Sequence, residues 1–284
     1  MWHAASQREI GTLPLSDGRD AILHPDGKSV LVSGGFGLWR WALRRDETAG
    51  RFNLSSGPPE ILSRVRGLAH ATLHPDGRRI AVGHIDGPAR IFNLQRLDLP
   101  PLELPHPRAV YVSFSPDGQW LATATWQGRG VKVWKVETGE FIRDIIQDNN
   151  STAKFSPDGR WLVTGTGNEY RFWETGSWLP RHRVPRQSSS RTGAFIVFSP
   201  DGSLTALVAG LRGVRLVDSS LGRELAVLDT ESQYPLCFSS DGTRLVTGDV
   251  TGPTWLWELS LIRRQLAAMQ LDWAAGPSSS GQSQ

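Results

Sequence analysis

The sequence predicts an all-β chain, a propeller of six four-stranded blades, and three observations predict it. A turn of the form Pro-Asp-Gly or Ser-Asp-Gly recurs six times, centred on Asp26 and Gly27, Asp76 and Gly77, Asp117 and Gly118, Asp158 and Gly159, Asp201 and Gly202, and Asp241 and Gly242. The aspartates stand 50, 41, 41, 43 and 40 residues apart, and a period near 40 with strand-like content marks a radial repeat. Trp41, Phe92, Trp134, Trp173 and Trp257 fall 15 to 17 residues after their aspartates, with Val217 in that place in the fifth copy.

Each copy opens on a short apolar run, such as AVYVSF (109–114), GAFIVF (193–198) or YPLCF (234–238). β-Branched and aromatic residues make these first strands. The turn follows: Pro fixes φ, Asp tolerates the next position, and Gly accepts the backbone after it. A second apolar run leads through a Gly-rich turn to a third strand ending in the aromatic. A more polar fourth strand closes the unit, clearest in GEFIRDII (139–146) and GRELAVLD (222–229). Strands apolar on both sides fit sheets covered by neighbours on both faces. Seven residues after the aspartates stand Ser33, Gly83, Ala124, Gly165, Val208 and Gly248; five are small, which predicts close packing of the second strands. The segment RRDETAGRFNLSSGPPE (44–60) lengthens the first step and is expected as a polar insertion between elements.

The two ends add a further pattern. Residues 2–13 align without a gap on residues 217–228, so Trp2 matches the end of a third strand and residues 7–13 match a fourth. Either that strand completes the last blade and pairs two exposed edges, or the chain begins part-way through a larger array; both readings stand. After TWLWEL (254–259) the period becomes helical, with Leu261, Ile262, Gln265, Leu266 and Met269 on one stripe and Ser260 as candidate N-cap. The expected organisation is a propeller over 1–259, a packed helix over 260–273 and a disordered tail over 274–284.

Composition excludes several function classes. A net charge of +3 over 284 residues is weak for a nucleic-acid binder. One cysteine, Cys237, rules out an intramolecular disulfide and a Cys-based metal site, and its place in YPLCF predicts a buried small hydrophobe. No apolar run reaches the ~18 residues of a membrane span, and the N-terminus has no secretory pattern. A soluble, cytoplasmic monomer is expected, with neither membrane nor nucleic acid as partner.

No catalytic constellation emerges. H-R-D, D-F-G, H-E-x-x-H and G-x-S-x-G are all absent from the sequence. GGFG (34–37) and TGTGN (164–168) lie between strands, and a phosphate cradle needs a helix N-terminus behind it, so both read as hairpin turns. The six turn aspartates have a complete local explanation. His24 and His74 take the Ser position of their turns and can cap or bridge turn backbone. No catalytic residue, metal or cofactor is assigned. The arginine-rich segment LPRHRVPRQSSSRTG (179–193) reads as a strand remnant with a solvated loop, or as a patch for an acidic partner.

With these residues in hand, the chain resembles the WD40-repeat proteins over about residues 1–259, through the six turns, the period and the aromatic ending the third strand. It departs from their pattern in lacking any Trp-Asp dipeptide. Its one Gly-His pair, Gly83-His84, ends a second strand, whereas the family's precedes a first strand. Only Asp86 matches the family's Asp before the third strand, so the family's buried His–Asp–Ser–Trp network is not recoverable in most blades. Such degenerate blades are similar to those of bacterial signalling proteins, often appended to Ser/Thr kinase domains.

The resemblance implies a non-catalytic scaffold whose partner is another protein or peptide. An enzyme with convergent side chains around the axis, and a partnerless fragment of a longer kinase-linked chain, are the alternatives. Function in such a scaffold sits on loops. The loops opposite the turns carry Arg66, His84, Arg108, Trp126, Arg129, Asn149, Asn168, Arg212, Gln233 and Asp249. Trp126 with Arg129 leads this set, because aromatics and arginines dominate interface energetics.

Overall fold

The computed structural model describes residues 2–3, 8–9, 13, 17–48, 51–146, 148, 150–186, 194–209, 213–229, 233–249 and 253–269. Strands β1 (Trp2–His3) and β2 (Arg8–Glu9) pair antiparallel with Trp2 opposite Glu9. Val217 stands opposite Glu224 in the fifth blade. The two registers agree, as the gapless alignment requires.

Blade one contains β3 (Gly18–Leu23), β4 (Ser29–Gly34) and β5 (Gly37–Thr48); β5 runs on to pair β6 (Arg51–Ser56), and β7 (Glu60–Ser63) returns to pair β5 within the blade. Blade two is β8 (Leu68–Leu73), β9 (Arg79–His84), β10 (Ala89–Asn93) and β11 (Leu102–Leu104). Blade three is β12 (Ala109–Phe114), β13 (Trp120–Thr125), β14 (Val131–Lys135) and β15 (Phe141–Ile146). Blade four is β16 (Thr152–Phe155), β17 (Trp161–Gly165), β18 (Glu169–Glu174) and β19 (Pro180–Pro185). Blade five is β20 (Ile196–Phe198), β21 (Leu204–Val208), β22 (Val214–Asp218) and β23 (Glu224–Leu228). Blade six shows β24 (Tyr234–Phe238), β25 (Arg244–Gly248) and β26 (Trp255–Glu258) among the described residues, followed by α1 (Leu259–Ala268). Every strand pair within the blades is an antiparallel neighbour, the meander expected from the repeat.

The chain forms two compact units, Met1–Thr166 with Trp173–Pro180, and Gly167–Phe172 with Arg181–Gln284. In the first unit the core lies between successive sheets. Leu31, Leu38 and Leu62 of blade one meet Leu68, Ile80, Val82 and Phe92 of blade two. Ala81, Ile91 and Leu104 of blade two meet Val112, Phe114, Leu121 and Trp134 of blade three. Each sheet therefore buries both faces, which is why its strands do not alternate cleanly. In the second unit Ala206, Val214, Leu216 and Leu228 of blade five pack with Leu245 and Leu259.

The small residues of the second strands do what their size predicts. A Cβ on Gly83 would overlap the carbonyl oxygens of Ala109 and Val110 on the next blade's first strand. Ser33, at the same place in blade one, donates its hydroxyl to the Ala69 carbonyl of blade two at 2.7 Å.

The turns are built alike. The turn aspartates accept the backbone N–H two residues on, at 2.7 Å for Asp26 and Asp76 and 3.0–3.1 Å for Asp117, Asp158, Asp201 and Asp241. Each following glycine has φ between +67° and +75°, a left-handed conformation that costs other L-residues roughly 1–2 kcal/mol. In four copies a serine hydroxyl also donates to the aspartate, at 2.5–2.6 Å. His24 and His74 replace that serine and both cap and bridge. Each Nδ1 accepts its aspartate's N–H, and each Nε2 reaches the next turn, at Gly77 O (2.9 Å) and Gly118 O (3.1 Å).

Behind the turns lies a buried relay. Trp134, Trp173 and Trp257 donate Nε1–H to Thr123, Thr164 and Thr247 at 2.8, 2.9 and 3.0 Å. Each threonine falls six residues after its turn aspartate. Blades two and five put Val82 and Leu207 there, and their third strands carry Phe92 and Val217, which need no acceptor. Blade one is mismatched: Trp41 faces the Val32 position, and its buried Nε1 has no partner among the described residues. The relay continues from Thr123 to His106 Nδ1 (2.7 Å) and from Thr247 to Gln233 Oε1 (2.6 Å). A buried Trp–Thr relay is thus present in blades three and six, ending on His106 in one and on Gln233 in the other, with no Asp in either among the described residues.

Four expectations are corrected. Part of segment 44–60 is strand: β5 and β6 pair from Leu43↔Ser56 to Thr48↔Arg51, leaving a two-residue connection of hairpin length. The N-cap of α1 is Glu258, not Ser260. Within α1 the inward positions are Leu259 and Ile262, with Leu266 half-buried, while Leu261, Gln265 and Met269 are exposed. The helix starts at Leu259, and Leu259, Ile262 and Leu266, three and four residues apart, form its inward stripe. Cys237 is exposed, because the register shifts between Pro235 and Cys237 and turns the thiol outward. Residues 270–284, with the expected tail, lie outside the described residues.

Candidate interaction surface

The loops opposite the turns in blades one to three are stitched to one another by backbone hydrogen bonds. Gly67 N–H donates to Gly35 O and Ile85 N–H to Gly67 O, both at 2.9 Å. Arg108 N–H donates to Gly87 O (3.2 Å) and Trp126 N–H to Arg108 O (3.3 Å). Ser151 N–H then reaches Thr125 O (2.9 Å), and Gln127 N–H reaches Asn150 Oδ1 (2.8 Å). Arg108 Nη1 closes back on Gln127 O at 3.3 Å. Two non-glycine residues here hold left-handed backbone, Arg108 at φ +61° and Gln127 at +55°. Such strain persists only where the surroundings over-determine it, and it collects at binding sites.

On these fixed loops stand three large apolar side chains, one per blade, each between the second and third strands. Phe36 is 56 % exposed, Ile85 39 % and Trp126 41 %. Nothing in the repeat requires them: the same loops would close with polar residues. Arg66, Arg108 and Arg129 are exposed among them. The Arg66 and Arg129 guanidiniums have no ion-pair partner among the described residues.

The sequence candidates divide accordingly. Arg66, Arg108, Trp126 and Arg129 share this surface. His84 lies in it but shapes the loop: its Nδ1 accepts Asp86 N–H (3.1 Å) and Gly87 N–H (2.7 Å). Desolvation, helped by the Arg90 charge, holds its imidazole below the usual histidine range. In the second unit Asn168 is exposed, and its carbonyl accepts Arg186 N–H at 2.8 Å. Asp249 is half-buried. Gln233 is a correction: it is 8 % exposed and spends its carbonyl on Thr247, so it belongs to the interior. Asn149 and Arg212 lie outside the described residues.

Sequence reasoning missed Phe36, Ile85 and His106. The first two were legible as the residues nine or ten after the turn aspartates, the place that Trp126 takes in blade three. His106 was hidden because Pro105 precedes it where the family pattern has Gly. Burial pulls the His106 imidazole down to about 4, with the Lys132 charge acting in the same direction.

The arginine-rich segment resolves into β19, where Arg183 pairs with Glu169, which also pairs with Arg171. Residues 187–193 lie outside the described residues. Among the described residues no three His, Cys, Asp or Glu side chains are grouped to hold a metal ion. No described helix is long and apolar enough to cross a membrane.

Six successive antiparallel sheets with recurrent turns and shared inter-sheet cores define a repeat β-propeller. The family model described as WD domain, G-beta repeat matches residues 102–135 and 148–174. The first match runs from the fourth strand of blade two through the third strand of blade three, and the second covers the first three strands of blade four. Those two stretches are WD40 repeats, and the other blades share their strand order and turns. A search of curated proteins gave no match.

Proposed function

We propose that the chain is a non-catalytic protein-interaction platform whose contact surface is the loop side of blades one to three. The single observation that carries this reading is the row of exposed Phe36, Ile85 and Trp126 on loops already fixed by mutual hydrogen bonds. Loops ordered beforehand reduce the entropy lost on association. The flanking Arg66, Arg108 and Arg129 favour a partner segment that carries acidic groups beside apolar ones. The likeness of the blades to degenerate bacterial ones supports a place in a cytoplasmic signalling assembly.

The test compares the wild-type chain with a Phe36→Ser/Ile85→Ser/Trp126→Ser variant as baits, read by quantitative mass spectrometry of what each retains. The expected result is loss of specific partners at unchanged thermal stability. Equal retention of every captured protein by both baits overturns the reading.

A further inference from the structure

A cleft opens on the turn side of the chain, between the connection that follows β10 in blade two and the one that follows β14 in blade three. Its volume is about 410 Å³, within the range of small-molecule sites. The repeat does not call for it. Third and fourth strands are joined by residues 136–140, 175–179 and 219–223 in blades three to five, but by the longer segment 94–101 in blade two. The three short connections each carry a glycine, and LQRLDLPP (94–101) carries none. The long segment is held from within. Leu94 N–H donates to Arg78 O (2.8 Å) and Leu99 N–H to Arg96 O (3.1 Å). The Arg96 guanidinium meets both Asp98 oxygens at 2.9 and 3.0 Å. Leu94 is thereby buried, and Leu99 is left exposed as one wall of the cleft. Ile91, Leu102 and Val136 complete its apolar lining.

Arg79 marks the polar end, and its surroundings leave its donors underused. Arg244 holds the same place in blade six, three residues after the turn aspartate, and bonds Glu258 across the strand pair at 2.7 Å. In blade two the residue across from Arg79 is Asn93, which carries no charge. Arg79 makes two long carboxylate contacts instead, 3.3 Å to Asp76 and 3.4 Å to Glu137. Asp76 already accepts Arg78 N–H at 2.7 Å, and the Glu137 side chain is 81 % exposed. His74 Nε2 lies 3.0 Å from Arg79 Nη2 but bonds Gly118 O at 3.1 Å. A carbonyl only accepts, so that nitrogen carries its proton and offers Arg79 no lone pair. Arg78 adds a second, exposed guanidinium to the lining, with no ion-pair partner among the described residues. Of the two acids present, one is committed to its turn and the other stands out in solvent.

We propose that this cleft binds a small carboxylate with an apolar body. The carboxylate pairs with Arg79, and the hydrocarbon lies along Ile91, Leu99, Leu102 and Val136. A guanidinium takes a carboxylate through two parallel hydrogen bonds, which outcompete the single long contact to Glu137. The cleft shares no residue with the loop surface of the proposed function, and either can fail alone.

Saturation-transfer NMR on the full chain tests this with octanoate as probe, titrated to about 10 mM. 1-Octanol, which keeps the tail, and butyrate, which keeps the charge, are the comparison ligands. Octanoate should bind saturably, and each comparison ligand about tenfold more weakly. Arg79→Gln removes the cation, and Leu99→Asp puts a carboxylate on an exposed wall residue that the fold does not need. Each should raise the octanoate Kd about tenfold. Arg244→Gln, which breaks the equivalent pair in blade six, should leave it unchanged, with circular dichroism confirming that all three variants fold. The proposal is wrong if octanoate shows no saturable binding, if 1-octanol binds as tightly, or if a folded Leu99→Asp or Arg79→Gln chain binds octanoate as wild type does.

Discussion

His106 makes acid stability a direct reading of the blade-three relay. Its neutral imidazole accepts from the Thr123 hydroxyl at Nδ1 (2.7 Å), while that hydroxyl accepts from Trp134 (2.8 Å). Protonation removes the acceptor and places a charge where the side chain is 1 % exposed. Burial first, then the Lys132 charge, lowers the imidazole from 6.5 to about 4 in the folded chain. A histidine with a depressed folded pKa takes up its proton more readily when unfolded. Its contribution is therefore complete above about pH 6.5 and is lost as pH falls from there through about 4. A difference of about 2.5 units corresponds to about 3 kcal/mol at full extent. The matching perturbation is His106→Gln, since Gln233 already fills this role against Thr247 in blade six. Urea unfolding of wild type and variant across pH 7 to 4 isolates the effect, because the other six histidines are the same in both. The wild type should lose about 3 kcal/mol more than the variant over that window. Parallel losses in the two proteins would refute the burial argument.

Other consequences follow from packing and from the loops. Val32→Thr supplies the acceptor that Trp41 lacks and should stabilise by about 1 kcal/mol in urea unfolding, whereas Thr123→Val orphans Trp134 and should cost about 2–3 kcal/mol. Gly83→Ala forces a Cβ against two carbonyl oxygens of blade three and should cost about 2 kcal/mol or more, seen as a lowered Tm. Trp126→Ala, at a 41 % exposed site, should change stability by less than about 0.5 kcal/mol while reducing partner capture. Asp241, held down to about 2 by the Ser239 hydroxyl and the Thr243 N–H, contributes stability that is present above about pH 4 and fades as pH falls through about 2. Asp241→Asn should flatten that acid limb.

The blades were legible because the features that build them are local and repeated. Turn glycines at φ near +70° and aspartates that cap the next N–H leave a fixed four-residue trace, and the period does the rest. The errors come where tertiary context decides. No local signal told that β5 would continue past Trp41 into a hairpin, or that a register shift at Pro235 would expose Cys237. Gln233 looked like a loop residue by position, and only the Thr247 hydroxyl, 14 residues on, draws it inside.

The same division explains how far function could be read. A repeat makes equivalent positions comparable, so a residue that departs from the repeat without a structural role is the informative one. Trp126 was recognisable on that ground. Phe36 and Ile85 needed the coordinates, because a single apolar residue in a loop is ordinary and three on neighbouring stitched loops are not. The first strands obey the same logic in reverse. Asp20, His70 and Tyr111 share one repeat position, and each is chemically different, which no packing requirement demands. The loops break the uniformity of the repeat with exposed apolar groups, and the first strands break it with the mutually bonded Asp20, His70 and Tyr111; closing a blade requires neither.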